Sequence, residues 1–153
     1  MANTYTQLYV QIVFTTKNKI NLIKERNRDE LEKYICGIIN NNKSKPLSIY
    51  CNPDHIHILV SLNPKTSVSE LVQVIKSNSS KWINERNWVS RKFRWQNGFG
   101  AFSYSHSHLD NVIKYIENQP IHHKKSTYEK EYTTLLEKYE VEYDEQYAFD
   151  KRE

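Results

Sequence analysis

The chain has 153 residues and a net charge of +4, with 38% apolar and 26% charged residues. Length and balance describe a globular domain with a core of its own, and they exclude a disordered chain, a membrane-embedded one and a miniprotein dependent on disulfides. The charge is unevenly spread: residues 137–153 carry seven acids and three bases, which leaves +8 on residues 1–136, a basic body before an acidic tail.

Tyr5 to Thr16 alternates, with Leu8, Val10, Ile12 and Phe14 on one side and Tyr9, Gln11 and Val13 on the other. That period of two predicts a half-buried strand. The segment lacks the basic start and small-residue cleavage site of a secretory signal, and no run approaches 18 apolar residues, so a cytoplasmic protein is expected. Residues 24–41 place Leu31, Tyr34, Ile35, Ile38 and Ile39 at helical spacing. A turn at Asn40–Ser44, a short strand at Leu47–Cys51 and a tight turn at Asn52-Pro53-Asp54 follow.

His55 to Leu62 alternates again: Ile56, Ile58, Val60 and Leu62 face one way, His55, His57, Leu59 and Ser61 the other. Ser67 reads as a helix N-cap, with Glu70 three residues on completing a capping box. The helix carries Val68, Leu71, Val72, Ile75 and Trp82 on one face and runs to about Arg86. Residues 87–97 form a basic aromatic loop, and Gly98–Ser107 reads as a strand. Ser107 or Asp110 caps a helix through Tyr115 toward Gln119, where Pro120 interrupts it. A further helix over about 124–139 leads into the tail. The order β-α-β-β-α-β predicts an α+β, ferredoxin-like (split βαβ) antiparallel sheet. Two helices would cover one face, His55 and His57 would project from an open face, and C-terminal helices would follow. Domain bounds of 1–136 and an acidic tail of 137–153 are expected.

Composition removes several chemistries. With three glycines there is no G-x-G-x-x-G and no P-loop. Cys36 and Cys51 belong to no C-x-x-C, so neither a disulfide scaffold nor a cysteine zinc site is expected. Three elements point to chemistry. His55 and His57, two apart on a strand, project to one side and can reach one divalent ion, anchored by Ile56 between them; alone, the pair is more often two half-exposed histidines. Tyr115 and Gln119 lie one turn apart on a helix, and alone read as a buried tyrosine and a solvated glutamine. Lys81, Arg86, Arg91, Lys92 and Arg94, interleaved with Trp82, Trp88, Phe93 and Trp95, match a single-stranded nucleic-acid surface as well as a solvated loop with its rings in the core. His106, His108, His122 and His123 lack an acidic partner in register and are not taken as ligands.

Taken together, Asp54-His55-Ile56-His57-Ile58-Leu59-Val60 (an HUH motif, with a bulky apolar residue between the histidines), Phe102-Ser103-Tyr104-Ser105, Tyr115-Ile116-Glu117-Asn118-Gln119 and His122-His123 are far more specific. The chain resembles the single-tyrosine HUH transposases of small bacterial insertion sequences, from about residue 5 to about 136. The resemblance implies a metal-dependent enzyme that cuts and rejoins single-stranded DNA through a 5′-phosphotyrosine and recognises hairpins at the element's ends. It assigns His55 and His57 as metal ligands, Tyr115 as nucleophile and Gln119 as third ligand. It makes the metal Mg2+ or Mn2+, and makes the enzyme a homodimer whose sites are completed in trans. Lys81, Arg86, Arg91, Lys92, Arg94 and Trp95 are the candidate DNA contacts. Energy held in a phosphotyrosine bond fits the absence of any nucleotide-binding loop. Pro120 places Gln119 at a kink or a helix end. Two other readings share these residues: a domesticated processor of repeated palindromic elements, and a non-catalytic nucleic-acid-binding module on the same fold.

Overall fold

The computed structural model describes residues 4–122 and 127–142. The chain divides into two compact units, Met1–Glu117 and Asn118–Glu153.

The first unit holds four strands, β1 (Tyr9–Thr15), β2 (Lys45–Cys51), β3 (His55–Ser61) and β4 (Gly100–Tyr104), and three helices, α1 (Glu25–Asn41), α2 (Val68–Glu85) and α3 (Leu109–Glu117). The sheet is antiparallel in the order β2-β3-β1-β4. With α1 between β1 and β2 and α2 between β3 and β4, this is the split βαβ plan that the element order predicts. Val10, Ile12 and Phe14 of β1 and Ile56, Ile58 and Val60 of β3 form the core with Leu31, Ile35, Ile38 and Ile39 of α1 and Leu71, Val72, Ile75 and Ile83 of α2. Full burial of each large aliphatic side chain contributes roughly 1.5–3 kcal/mol. The Ser67 hydroxyl accepts from the Glu70 N–H and starts α2 as its sequence indicates.

The sheet's other face is not open. Leu59, Val112 and Ile116 form a second apolar cluster there, with Leu47, Tyr50, Tyr104, Leu109, Ile113 and Tyr115 packed around it. Helix α3 therefore lies on the face expected to be bare, and His55 and His57 are fully buried rather than projecting to solvent. The run His-Ile-His-Ile-Leu-Val, with Leu59 on the histidine side, already carries apolar surface on both faces.

The basic aromatic loop is fastened to α2. Asn84 holds Phe93 at two points: its Oδ1 accepts from the Phe93 N–H at 2.7 Å and its Nδ2 donates to the Phe93 carbonyl at 3.1 Å. Lys76 Nζ donates to the carbonyls of Gln96 at 2.8 Å and Gly98 at 2.6 Å. Gly98 has φ +87°, a left-handed turn that favours glycine as the chain enters β4. Edge strand β2 has an irregular register between Pro46 and Ser48, and the Glu32 carboxylate of α1 accepts from the Cys51 N–H at 2.9 Å.

In the second unit, α4 spans Gln119–His122 and α5 spans Tyr128–Lys138. The Thr127 hydroxyl accepts from the Lys130 N–H and opens α5, and Tyr128 stacks on Tyr132. The expected helix start at 124, His123 and most of the acidic tail lie outside the described residues. Among the described residues no helix is long and apolar enough to cross a membrane.

Candidate active site

The site face of the sheet is built by antiparallel register. Val13 pairs with His57 and Thr15 with His55, so Gln11, two residues back along β1, is the diagonal neighbour of His57. Tyr104 of β4 pairs with Tyr9, which makes it a diagonal neighbour of Gln11 on the opposite flank. The two histidine rings lie 5.2 Å apart between centroids at an interplanar angle of 74°. Tyr115 of α3 turns toward the His57 ring, 5.7 Å between centroids at 83°, a near-perpendicular approach. Three of the four residues expected to carry the chemistry thus sit together in the first unit.

Each histidine is hydrogen-bonded, His55 at both ring nitrogens and His57 at Nδ1. His55 Nδ1 donates to Asp54 Oδ1 at 2.6 Å, and its Nε2 accepts from Asn52 Nδ2 at 3.2 Å. Asn52 and Asp54 belong to the turn between β2 and β3, so the turn residues themselves orient the first histidine. His57 Nδ1 accepts from Gln11 Nε2 at 3.0 Å, and the Tyr104 hydroxyl donates to Gln11 Oε1 at 2.8 Å. Gln11 is 1% exposed. A carboxylate or amide behind a ring nitrogen fixes the orientation of a ligating imidazole. Two imidazoles on one strand face, each so oriented, suit a borderline divalent ion, so the residues present fit a resident metal. None of Gln11, Asn52 or Tyr104 stands out as an orienting partner in the sequence. The one available signal was a buried-strand glutamine, Gln11, in an otherwise apolar run.

Gln119 is placed differently. Helix α3 ends at Glu117 and a new short helix begins at Gln119, with Pro120 in its first turn. A proline there costs no hydrogen bond, because the first-turn N–H groups have no helical partner. Tyr115 and Gln119 therefore belong to two separate helices. Gln119 belongs to the second unit, where its Nε2 lies 3.5 Å from Glu131 Oε2. The start of α3 also differs from expectation: a 3-10 turn, His106–His108, leads straight into it, and Ser105 precedes that turn with its hydroxyl on His108 Nδ1.

The candidate DNA contacts separate into two groups. Lys81, Arg91, Lys92 and Arg94 are exposed. Lys81, Lys92 and Arg94, with Lys76, line an open groove of about 930 Å³ between α2 and residues 92–99. Arg86 pairs with Glu30 and lies over the Trp82 ring, 4.5 Å from its centroid. Trp95, by contrast, is a core residue at 8% exposure. Its ring meets Phe14 and Phe93 edge-on, and its indole N–H donates to Ser79 Oγ at 2.9 Å. It does not offer the open face a stacking base needs.

Comparison with known proteins gives one family. The family described as "Transposase IS200 like" matches residues 4–119. The ISDra2 transposase TnpA of Deinococcus radiodurans is 22% identical over 120 residues, covering 74% of this chain and 84% of that protein. Among solved structures, a candidate transposase of Deinococcus radiodurans R1 superposes with a TM-score of 0.62 at 18% identity, over 78% of this chain and 95% of that one. A REP-associated tyrosine transposase bound to a REP hairpin gives 0.60 at 15% identity, over 80% and 73%. At these identities the structural likeness concerns the fold.

Proposed function

The chain belongs to the IS200-like transposase family, whose members are DNA-cleaving and strand-transferring enzymes, and we propose that it cuts and rejoins single-stranded DNA at the ends of an insertion sequence through a tyrosine–DNA intermediate. The observation that carries this reading is the meeting of Tyr115 with the His55–His57 pair on one sheet face.

In this reading Tyr115 is the nucleophile. A phenol with an ordinary pKa near 10 must lose its proton to attack. Its oxygen bonds to phosphorus, the bond from phosphorus to the 3′ oxygen breaks, and that oxygen leaves as a hydroxyl once protonated. The reverse attack by another 3′-hydroxyl restores a phosphodiester and frees the tyrosine, so no nucleotide is consumed. His55 and His57 would hold a divalent ion, Mg2+ or Mn2+ by the family resemblance, which when bound neutralises phosphate oxygens and makes phosphorus more electrophilic. Asp54 and Gln11 keep the two rings oriented, and Asn52, which donates to His55 Nε2 here, would yield that nitrogen to the ion. The third ligand we assign, from the family resemblance alone, to Gln119. The same resemblance is the basis for a homodimer with sites completed in trans; action in the cytoplasm is inferred from the sequence pattern.

The substrate we infer is a single strand carrying a hairpin. The hairpin-bound relative supports this as a likeness. The phosphate backbone would follow Lys81, Lys92 and Arg94 along the α2 groove, with Arg91 and Arg86 beside it. A role on chromosomal palindromes would use the same residues.

The test is a cleavage assay on labelled single strands bearing hairpins from the element ends, with Mg2+ or Mn2+, read on a denaturing gel. A metal-dependent protein–DNA adduct that vanishes in Tyr115→Phe is the expected result. An adduct that persists in that variant would move the nucleophile to Tyr104, Tyr128 or Tyr132. Tight hairpin binding with no adduct under any condition would favour the binding-module reading.

A further inference from the structure

We propose that Gln11 is a positioning residue that sets the tautomer of His57, and that its amide turns over when a divalent ion binds, coupling the ion to the Tyr104 hydroxyl. The proposal rests on the reading of His55 and His57 as metal ligands.

The two histidines are poised differently. His55 gives its Nδ1 proton to Asp54, so its Nε2 carries the lone pair. That is the tautomer a ligand bound through Nε2 requires, and an ion there would take the place of the Asn52 Nδ2 that donates to this nitrogen in the metal-free protein. In His57 the arrangement is reversed: Nδ1 accepts from Gln11 Nε2, so the ring proton of the neutral form sits on Nε2. With Nδ1 facing Gln11, ligation through His57 falls to Nε2, and the proton there must go.

The amide of Gln11 can accommodate the exchange without moving the chain. Its oxygen and nitrogen are nearly the same size, and a half-turn of the amide swaps them. Before the turn, the Tyr104 O–H donates to Oε1 and Nε2 donates to His57 Nδ1. After it, Oε1 accepts a proton now on His57 Nδ1, and Nε2 donates to the Tyr104 oxygen. One N–H bond of the imidazole breaks and one forms, with water carrying the proton, so the ring stays neutral throughout. The phenol can also accept, though more weakly than it donates, so the Gln11 amide keeps both of its partners in either state. Burial of Gln11 at 1% exposure makes a half-satisfied state costly. The three groups therefore switch together, and the Tyr104 hydrogen is released from Gln11 in the loaded state.

The experiment is long-range 15N–1H NMR on the imidazole rings of the full-length protein, titrated with Zn2+ as a diamagnetic probe. Without metal, the His57 proton is expected on Nε2 and the His55 proton on Nδ1. With Zn2+ both rings respond at Nε2 and the His57 proton is found on Nδ1. Gln11→Met removes the switch, and its affinity for Zn2+ should fall about 10–100-fold, as for other outer-shell partners. Gln11→Glu, whose carboxylate accepts and does not donate, should hold the Nδ1–H form before any metal is added and restore Zn2+ binding. Zn2+ that reaches both histidines while the His57 tautomer stays unchanged would overturn the proposal and leave the metal site standing. Unaltered Zn2+ affinity in Gln11→Met would overturn it too. Zn2+ that perturbs neither ring would overturn the metal site and the proposal together.

Discussion

Strands β1 and β3 show one chemistry to α1 and α2 and another to α3. Toward α1 and α2 they present Ile12, Phe14, Ile56, Ile58 and Val60, all aliphatic or aromatic and all essentially fully buried. Toward α3 the same strands present Gln11, His55, His57 and Leu59, equally buried but mostly polar, with hydrogen bonds joining β1, β3 and β4. The apolar side gains stability from area removed from water. The polar side gains little net stability, because each buried donor or acceptor spends its bonds offsetting its own desolvation. What it gains is fixed geometry. A sheet one residue thick thus separates the apolar core from the residues proposed to carry the chemistry, and substitutions on its two buried sides should fail in different ways.

The strongest test of that separation is a pair of variants. Tyr115→Phe should lose adduct formation below detection, while its unfolding free energy shifts by no more than about 1 kcal/mol, the scale of one hydroxyl bond. Ile58→Ala, on the other side of β3, should lose about 2–5 kcal/mol by chemical denaturation, while the protein that remains folded still forms the adduct. If Ile58→Ala abolished the adduct in fully folded protein, the two sides would not be independent.

A smaller effect sharpens the comparison at its margin. Trp95 lies in the basic segment by sequence but belongs to the apolar side by packing. Trp95→Phe should cost about 1–2 kcal/mol of stability through the lost Ser79 bond and leave affinity for single-stranded DNA nearly unchanged. Lys92→Ala with Arg94→Ala should do the opposite: unchanged stability, weaker binding, and a salt dependence shallower by roughly 0.7 for each phosphate no longer neutralised.

A separate, pH-dependent effect concerns Lys76, whose ammonium lies over the Phe14 ring at the border of the apolar core. Burial lowers its pKa from 10.5 to about 8. Between about pH 8 and 10.5 the unfolded chain holds this proton and the folded one does not, so folding should become more favourable as pH rises through that window. Below it, both states are charged and the dependence vanishes. Unfolding measured at pH 7.5, 9 and 10 in the native protein and in Lys76→Met should show the extra upward slope only in the native protein.

Much of this was legible in the chain itself. Alternation in residues 9–15 and 55–61 marks β1 and β3 and sorts their side chains to two faces, because a strand's period of two is a geometric necessity. The Ser67 cap and the element order carried the topology. Three features were not legible, each for a physical reason. Periodicity says which face a residue takes and not what covers it, so α3 over the histidines was missed, although Leu59 between two polar positions was a sign. Pro120 signals the interruption beside Gln119, but not its place: the break falls at Asn118, and the proline sits in the first turn of the helix that begins at Gln119. Cations and aromatics interleaved in residues 86–96 look alike whether the rings face a base or the core, and only Ser79 and Asn84 on α2 settle that Trp95 and Phe93 turn inward. Gln11 stands out as a polar residue in an apolar strand, but its role does not, because its diagonal relation to His57 exists only once β1 and β3 are paired in register.

Edge strand β2 also bears on how this protein behaves in a crowded tube. An exposed edge is a row of unmet donors and acceptors that invites a neighbour's strand, the first step toward a fibre. Here Pro46 removes one donor, the irregularity between Pro46 and Ser48 breaks the spacing a visiting strand would need, and Glu32 occupies the Cys51 N–H. Concentrated stocks should therefore stay free of thread-like deposits, and replacing Pro46 with a β-branched residue is the change most apt to seed them.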